Sequence, residues 1–298
     1  MLIIGDFITD KYTYVKTRRV SPEAPVLIVG QLDKEILAPG GAGLAAAYSK
    51  KHSFHFHLIT NCGFFGTATL KRKELFSRTT ILKTEIEHEE IVKQRYIDIT
   101  TNYHLLRVDN DSFDCLGNCN RLLGAVTVKQ VTHAVALLLD YRKGMFSNTE
   151  QCQDLLSRFR NKNIITYVDS RRDDLLRFKG ADIIKLNELE YKNAKERYGN
   201  NLIEELEVQA LVVTRGDKGA TLFFKDKKEE TNFTIAPCSL IAEVTGAGDV
   251  FDSNCCHKIE TMLTLDSKQD LFEALRSGIS IACKKATQYV YEQIETRL

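Results

Sequence analysis

The sequence predicts an α/β protein in three layers: a mostly parallel central sheet with helices on both faces, plus a small β-flap. Short, nearly continuous apolar runs alternate with longer segments at helical spacing, the pattern of strands covered on both faces. Two polar, alternating segments, 11–32 and 91–109, interrupt that rhythm, and alternation marks strands with one wet face. The length of 298 residues suits one large domain that needs no disulfide or metal staple. One domain over 1–298, with those two segments as a lid, is the expectation.

In chain order, LIIG (2–5) opens the sheet and KYTYVKTRRVSPEAPVLIVGQL (11–32) forms the first flap segment. AGLAAAYSKK has helical spacing, and FHFHLI (54–59) reads as a strand with Phe54 and Phe56 on one face and His55 and His57 on the other. IVKQRYIDITTNYHLLRVD (91–109) gives the second flap segment. HAVALLL (133–139), IITYVD (164–169), ADIIKL (181–186), ALVVT (210–214) and ATLFF (220–224) continue the strands. The 148–161 stretch, with Leu155, Leu156 and Phe159, and ELEYKNAKERYG are helices between them, and the last fifty residues are mainly helical.

Composition excludes several classes. The chain has 41 Lys and Arg against 40 Asp and Glu, a balance that argues against a nucleic-acid or membrane partner. Its eight cysteines show no CxxC pair and read as the thiols of a cytoplasmic protein. Met1 leads straight into LIIG without a basic n-region, so no signal peptide is expected. AVALLL (134–139), the longest later apolar run, is too short to cross a bilayer. His55 with His57, Cys115, Cys119 and the Cys255–Cys256–His257 run have no complete metal set and read as ordinary side chains.

Three glycine-rich motifs bear on phosphate or dinucleotide chemistry, and the chain differs in how it meets each. GAGLAA (41–46) superficially fits the dinucleotide motif G-x-G-x-x-G/A, but the motif should directly follow a strand, whereas Pro39 and Gly40 precede it and the first strand is expected to end near Gly5. Residues 51–73 also contain no Asp or Glu to hold a ribose. A Walker loop needs Gly-Lys, which the chain lacks. VTGAGD (244–249) differs, because a helical pattern begins immediately after it. Unpaired N–H groups and the helix dipole then favour an anion, and glycine lets the backbone approach it. Asp249 in the first turn could accept a proton from an attacking hydroxyl while the amides of Gly246, Ala247 and Gly248 stabilise a phosphoryl group. The plainer reading is an acidic helix start.

With T-G-A-G-D near the end, G-D-x-x-x-D at the start (Gly5, Asp6, Asp10) and Gly-Gly at 40–41, the chain resembles the ribokinase-like, PfkB-type sugar kinases. S-P-E-A-P-V (21–26), PGGAG (39–43) and D-Y-R-K-G (140–144) look like the branch that phosphorylates D-glycero-D-manno-heptose 7-phosphate. The resemblance covers nearly the whole chain, with a shortened stretch around 60–90. It implies a ribokinase-like three-layer sandwich, Asp249 as base, and Asp10, Gly40 and Gly41 at the sugar. It also implies Asp140 and Lys143 as substrate residues through the DYRKG match. Of the flap cations, Arg95 and Arg107 are the expected contacts to the sugar's phosphate. NELE (187–190) fits the family's N-x-x-E pattern, which implies Asn187 and Glu190 holding Mg²⁺ through water beside ATP. VTRGDKGA (213–220) implies Thr214, Arg215, Gly216 and Gly219 on the nucleotide side. A homodimer through the flap is expected.

The bifunctional relatives carry an H-x-G-H motif that this sequence lacks, so only the phosphorylation step is expected. Three departures bear on the substrate. Leu44 stands where the related kinases have Asn, which removes a polar contact able to shift sugar preference. Glu243 replaces a usual Asp, which bears on a K⁺ site. Asp169-Ser170-Arg171-Arg172 replaces Asp-Pro-Lys. The rival readings are a PfkB-type kinase for another sugar or sugar phosphate, and a non-catalytic binding relative.

Overall fold

A computed structural model describes residues 1–82, 90–110, 134–235, 245–265 and 270–295. The elements are β1 (Leu2–Val20), β2 (Leu27–Gly41), α1 (Ala42–Lys51), β3 (His57–Asn61), α2 (Phe64–Arg72), β4 (Thr79–Leu82), β5 (Val92–Asp98) and β6 (His104–Asn110). Then come β7 (Val135–Asp140), α3 (Thr149–Arg160), β8 (Ile165–Ser170), β9 (Ile183–Asn187), α4 (Glu188–Tyr198) and the one-turn α5 (Leu202–Glu205). β10 (Ala210–Thr214), β11 (Ala220–Phe224), β12 (Thr231–Phe233), α6 (Ala247–Leu265) and α7 (Leu271–Glu295) complete the chain.

The central sheet runs β12-β11-β10-β9-β8-β7-β1-β3-β4. It is parallel from β10 to β4, with β11 and β12 antiparallel at one edge. Alternation along each strand divides the core in two. Ile3, Leu137, Tyr167 and Val212 pack with α1, α6 and α7 on one face. Leu2, Ile4, Leu138, Val168 and Leu211 pack with α3, α4 and α5 on the other. That double covering is why the strands read as continuous apolar runs.

β1 departs from expectation. It does not stop at Gly5 but continues into the flap, where it pairs antiparallel with β2 and parallel with β5, and β5 pairs antiparallel with β6. Asp10 therefore lies mid-strand rather than at a strand end. β1 leaves the central sheet after Asp6, the last residue in register with β3, and its far half carries register shifts at Tyr14, Val15 and Thr17.

FHFHLI is corrected too. Ser53 turns the chain at φ 59, Phe54 still donates its N–H to the Ser49 carbonyl, and the strand begins only at His57. Phe54 stacks on His257 at 3.8 Å. Helix α2 and strand β4 went unforeseen.

Candidate active site

The C-terminal ends of the parallel strands gather several of the residues singled out in the sequence, as expected for an open α/β sheet. Asp6 lies where β1 leaves the central sheet, Asp140 ends β7, Asp169 and Ser170 end β8, Asn187 ends β9 and Thr214 ends β10. The first turn of α6 places Asp249 among them.

Asp249 is 4% exposed. Its Oδ1 accepts a hydrogen bond from the Tyr141 hydroxyl at 2.6 Å. Burial pushes its carboxyl up to about 7, with Asp169 adding and the Tyr141 bond, Lys185 and Arg171 opposing. Below it, Lys185 Nζ donates to Asp169 Oδ2 at 2.7 Å and reaches Asp252 Oδ2 at 3.5 Å. Burial favours a neutral Asp169, but Lys185 and Arg171 prevail and hold it at about 2. Asp252 is pushed well up by burial and accepts from the Tyr167 hydroxyl.

Gly246 has φ 86, and a Cβ there would overlap the end of Leu44. Gly248 is different. A Cβ would meet nothing closer than Lys185 Nζ at 3.4 Å and Arg171 at 3.7 Å, so its absence keeps clear the opening between two cations. Arg171 donates to Glu190 Oε1 at 2.7 Å and lies over the Tyr141 ring at 5.5 Å. An anion at the N-terminus of α6 therefore meets bare amides and two fixed positive charges.

On the flap, Asp10 and Arg95 form a buried ion pair. Gly40 leaves the room that the Asp10 carboxylate fills, and Gly41 packs against Asp6 and Tyr141. These glycines serve close approach within the chain. Arg95 lies opposite Arg107 across β5 and β6, so both side chains leave one face, together with Lys93 two residues away. Arg107 is half-exposed and paired with Asp109. Burial first, then Arg107, and further Lys143, push the Lys93 amine down, against Asp10 and Asp109. Arg107 and Lys143 thus crowd Lys93, a repulsion that an anionic group would relieve. Lys93, on the same face of β5 as Arg95, joins the cluster through strand alternation.

Asp140 is corrected. It is fully buried: its Oδ1 accepts from Arg142 N and its Oδ2 from Ser170 Oγ and Arg172 Nε. It anchors the loop after β7 instead of facing a ligand. Asp6 does the same from the other side, accepting from the backbone N–H groups of Tyr141, Lys143 and Met145.

On the β9–β10 side, Asn187 and Glu190 close a capping box on α4. Asn187 Oδ1 and both carboxylate oxygens of Glu190 already accept hydrogen bonds within the chain. Thr214 donates to the Leu186 carbonyl and Arg215 to Thr221. Gly216, at φ 59, faces open space, whereas a Cβ on Gly219, at φ 90, would overlap the Phe233 carbonyl. Gly219 thus serves the crossing of β12 rather than a nucleotide. Leu44 lines a cleft of about 610 Å³ together with Asp10, Tyr12, Thr245 and Tyr289. Cys115, Cys119 and Glu243, with Val244 of VTGAGD, lie outside the described residues.

Lys185 and Asp252 were not singled out in the sequence, Tyr141 stood there only as the second residue of D-Y-R-K-G, and Arg171 only as a departure from Asp-Pro-Lys. For Lys185 the signal was a lysine inside the apolar run ADIIKL, since a buried lysine requires a partner.

The ribokinase from Giardia lamblia superposes with a TM-score of 0.71 at 16% identity, covering 97% of this chain and 92% of that one. The Arabidopsis thaliana ribokinase complexed with ribose and ATP superposes at 0.62 and 14%, covering 95% and 90%. The molecule is a ribokinase-like α/β protein. Residues 133–289, over half of the sequence, match the pfkB family of carbohydrate kinases, and the chain belongs to that family of phosphotransferases acting on sugar hydroxyls. It is 28% identical over 262 residues to the bifunctional protein HldE of Haemophilus influenzae (strain PittEE), covering 84% of this chain and 53% of that protein. It thus spans about half the length of the curated relatives it matches. No helix among the described residues is long and apolar enough to cross a membrane.

Proposed function

We propose that the chain transfers the γ-phosphoryl of ATP to O1 of D-glycero-D-manno-heptose 7-phosphate, giving the 1,7-bisphosphate used in ADP-heptose synthesis. Asp249 takes the proton from O1–H, O1 bonds to the γ-phosphorus, and the bond to the β–γ bridging oxygen breaks to release ADP. The observation that carries this reading is the order of groups across the sheet: flap cations on β5 and β6 beyond β1, Asp249 against Tyr141 after β7, and the N-x-x-E helix after β9. An acceptor with a phosphate end and a nucleotide have separate places on either side of one carboxylate.

Arg171, Lys185 and the amides of Gly246, Ala247 and Gly248 face the γ-phosphate. Mg²⁺ would neutralise phosphate charge when bound. Because Asn187 Oδ1 and the Glu190 carboxylate already accept hydrogen bonds from the capping box and from Arg171, they fit a hydrated ion through water better than direct ligation. Lys93, Arg95, Arg107 and Lys143 hold the sugar's phosphate, and the strands around Asp10 act as a lid on a single domain. The kinase works in the cytoplasm as a homodimer.

Leu44 favours a second reading, a kinase of this family for another sugar phosphate, because it gives an apolar wall to the cleft that Asp10 lines. An ADP-release assay over a panel of sugars and sugar phosphates separates the two. Heptose 7-phosphate should give the highest kcat/KM. A higher value for a hexose or pentose phosphate selects the second reading, and ATP binding without turnover of any sugar rejects both.

A further inference from the structure

Tyr141 stands where three parts of the site meet. Its hydroxyl donates to Asp249 Oδ1 at 2.6 Å, its ring lies under the Arg171 guanidinium, and its ring edge packs on Gly41. Among the described residues it is the only side chain hydrogen-bonded to that carboxylate. The loop that carries it is fixed from both ends. Asp6 accepts from the Tyr141 N–H, and Arg171 N donates to the Asp140 carbonyl. The hydroxyl is thus held in place by backbone contacts independent of any ligand.

We propose that Tyr141 is the positioning residue of the phosphoryl-transfer site. Its hydroxyl occupies Oδ1 of Asp249, so that Oδ2 takes the acceptor's proton, and its ring carries Arg171 to the phosphate side. One side chain thereby sets the base and the cation relative to each other. This rests on Asp249 acting as the base in the function proposed above.

Donation to a carboxylate favours its charged form, so losing the hydroxyl must raise the pH at which Asp249 ionises. The other charged and titratable groups around it are Asp169 on β8, Arg171 after it, Lys185 on β9 and Asp252 on α6 itself. Tyr141→Phe leaves all of them in place. The Tyr289 hydroxyl of α7 lies by Gly246 and is likewise unchanged.

The test compares wild type and Tyr141→Phe in two ways. With ATP and heptose 7-phosphate, the acid limb of the kcat/KM profile should move up by about one pH unit. Turnover should fall about fivefold near pH 7 and recover at pH 9, with KM for ATP unchanged. In protein labelled with ¹³C-carboxyl aspartate, the resonance missing from Asp249→Asn should titrate higher in Tyr141→Phe, with no turnover required. A rate lost equally at every pH, or an unmoved Asp249 resonance, overturns the inference. A chain that turns over no sugar but whose Asp249 resonance moves rejects the kinase reading while keeping the pairing. If Tyr141→Phe does not fold, 3-fluorotyrosine labelling, which strengthens the donor, must move the resonance down, and no movement again overturns it.

Discussion

Asp249, as the base proposed above, would trade stability for chemistry. Burial raises its carboxyl to about 7, near the value suited to a base at neutral pH. Asp249→Asn should retain the fold and lower kcat by about 10²–10⁴-fold, the usual worth of a placed base, as steady-state assays would show. The same burial predicts a stability change of definite sign. Between the unfolded value near 3.8 and the folded value near 7, the folded chain binds a proton that the unfolded chain does not. Asp249 therefore destabilises the fold increasingly as pH rises through that window. Asp249→Asn should be the more stable protein at pH 8, by up to roughly 4 kcal/mol, with the advantage gone near pH 3.5; urea melts at the two pH values check it. Asp249 could be read from the sequence because its motif is contiguous. Tyr141, Asp169 and Lys185 could not, since they lie 108, 80 and 64 positions away and meet it only through the order of the strands.

At the scale of elements, local chemistry decided what was readable. ALVVT and ATLFF coincide with β10 and β11, and AGLAAAYSKK with α1, because each run is buried on one or both faces and bounded by turn residues. FHFHLI failed because alternation cannot report a turn at Ser53, and α2 escaped because its surface is mostly polar or exposed. The capping box of α4 predicts that Asn187→Ala costs about 1 kcal/mol in stability, measurable by chemical denaturation. Of the two nucleotide-side glycines, Gly219→Ala should be the costlier, since it adds a clash with the Phe233 carbonyl to the left-handed backbone penalty. Gly216→Ala should cost only that penalty, about 1–2 kcal/mol. Equal losses would show that β12 yields to the extra methyl. In the flap, Lys93→Ala should raise KM for a sugar phosphate about tenfold at constant kcat, if the cation cluster binds the phosphate uniformly through the reaction.

For the whole molecule, the exposed apolar residues of the flap bear on assembly. Val26, Leu27, Leu106 and Val108 are 57%, 49%, 56% and 47% exposed, and unpaired strand edges favour pairing with a second copy. Leu27→Asp with Leu106→Asp should convert the proposed dimer to a monomer in sedimentation velocity; a wild type that already sediments as a monomer rejects the dimer. The fold class was readable because its rhythm spans the whole chain. The continuity of β1 was not, since a strand that changes sheets midway changes its covering, and so its pattern, without breaking. That continuity has a mechanical consequence. In the lid proposed above, a cover grown from the same strand as the floor would have no free hinge at its base and would flex where the backbone is already irregular, at Tyr14 to Thr17. Asp10, below that point, would then stay with the floor, and the mouth would widen only at its outer rim.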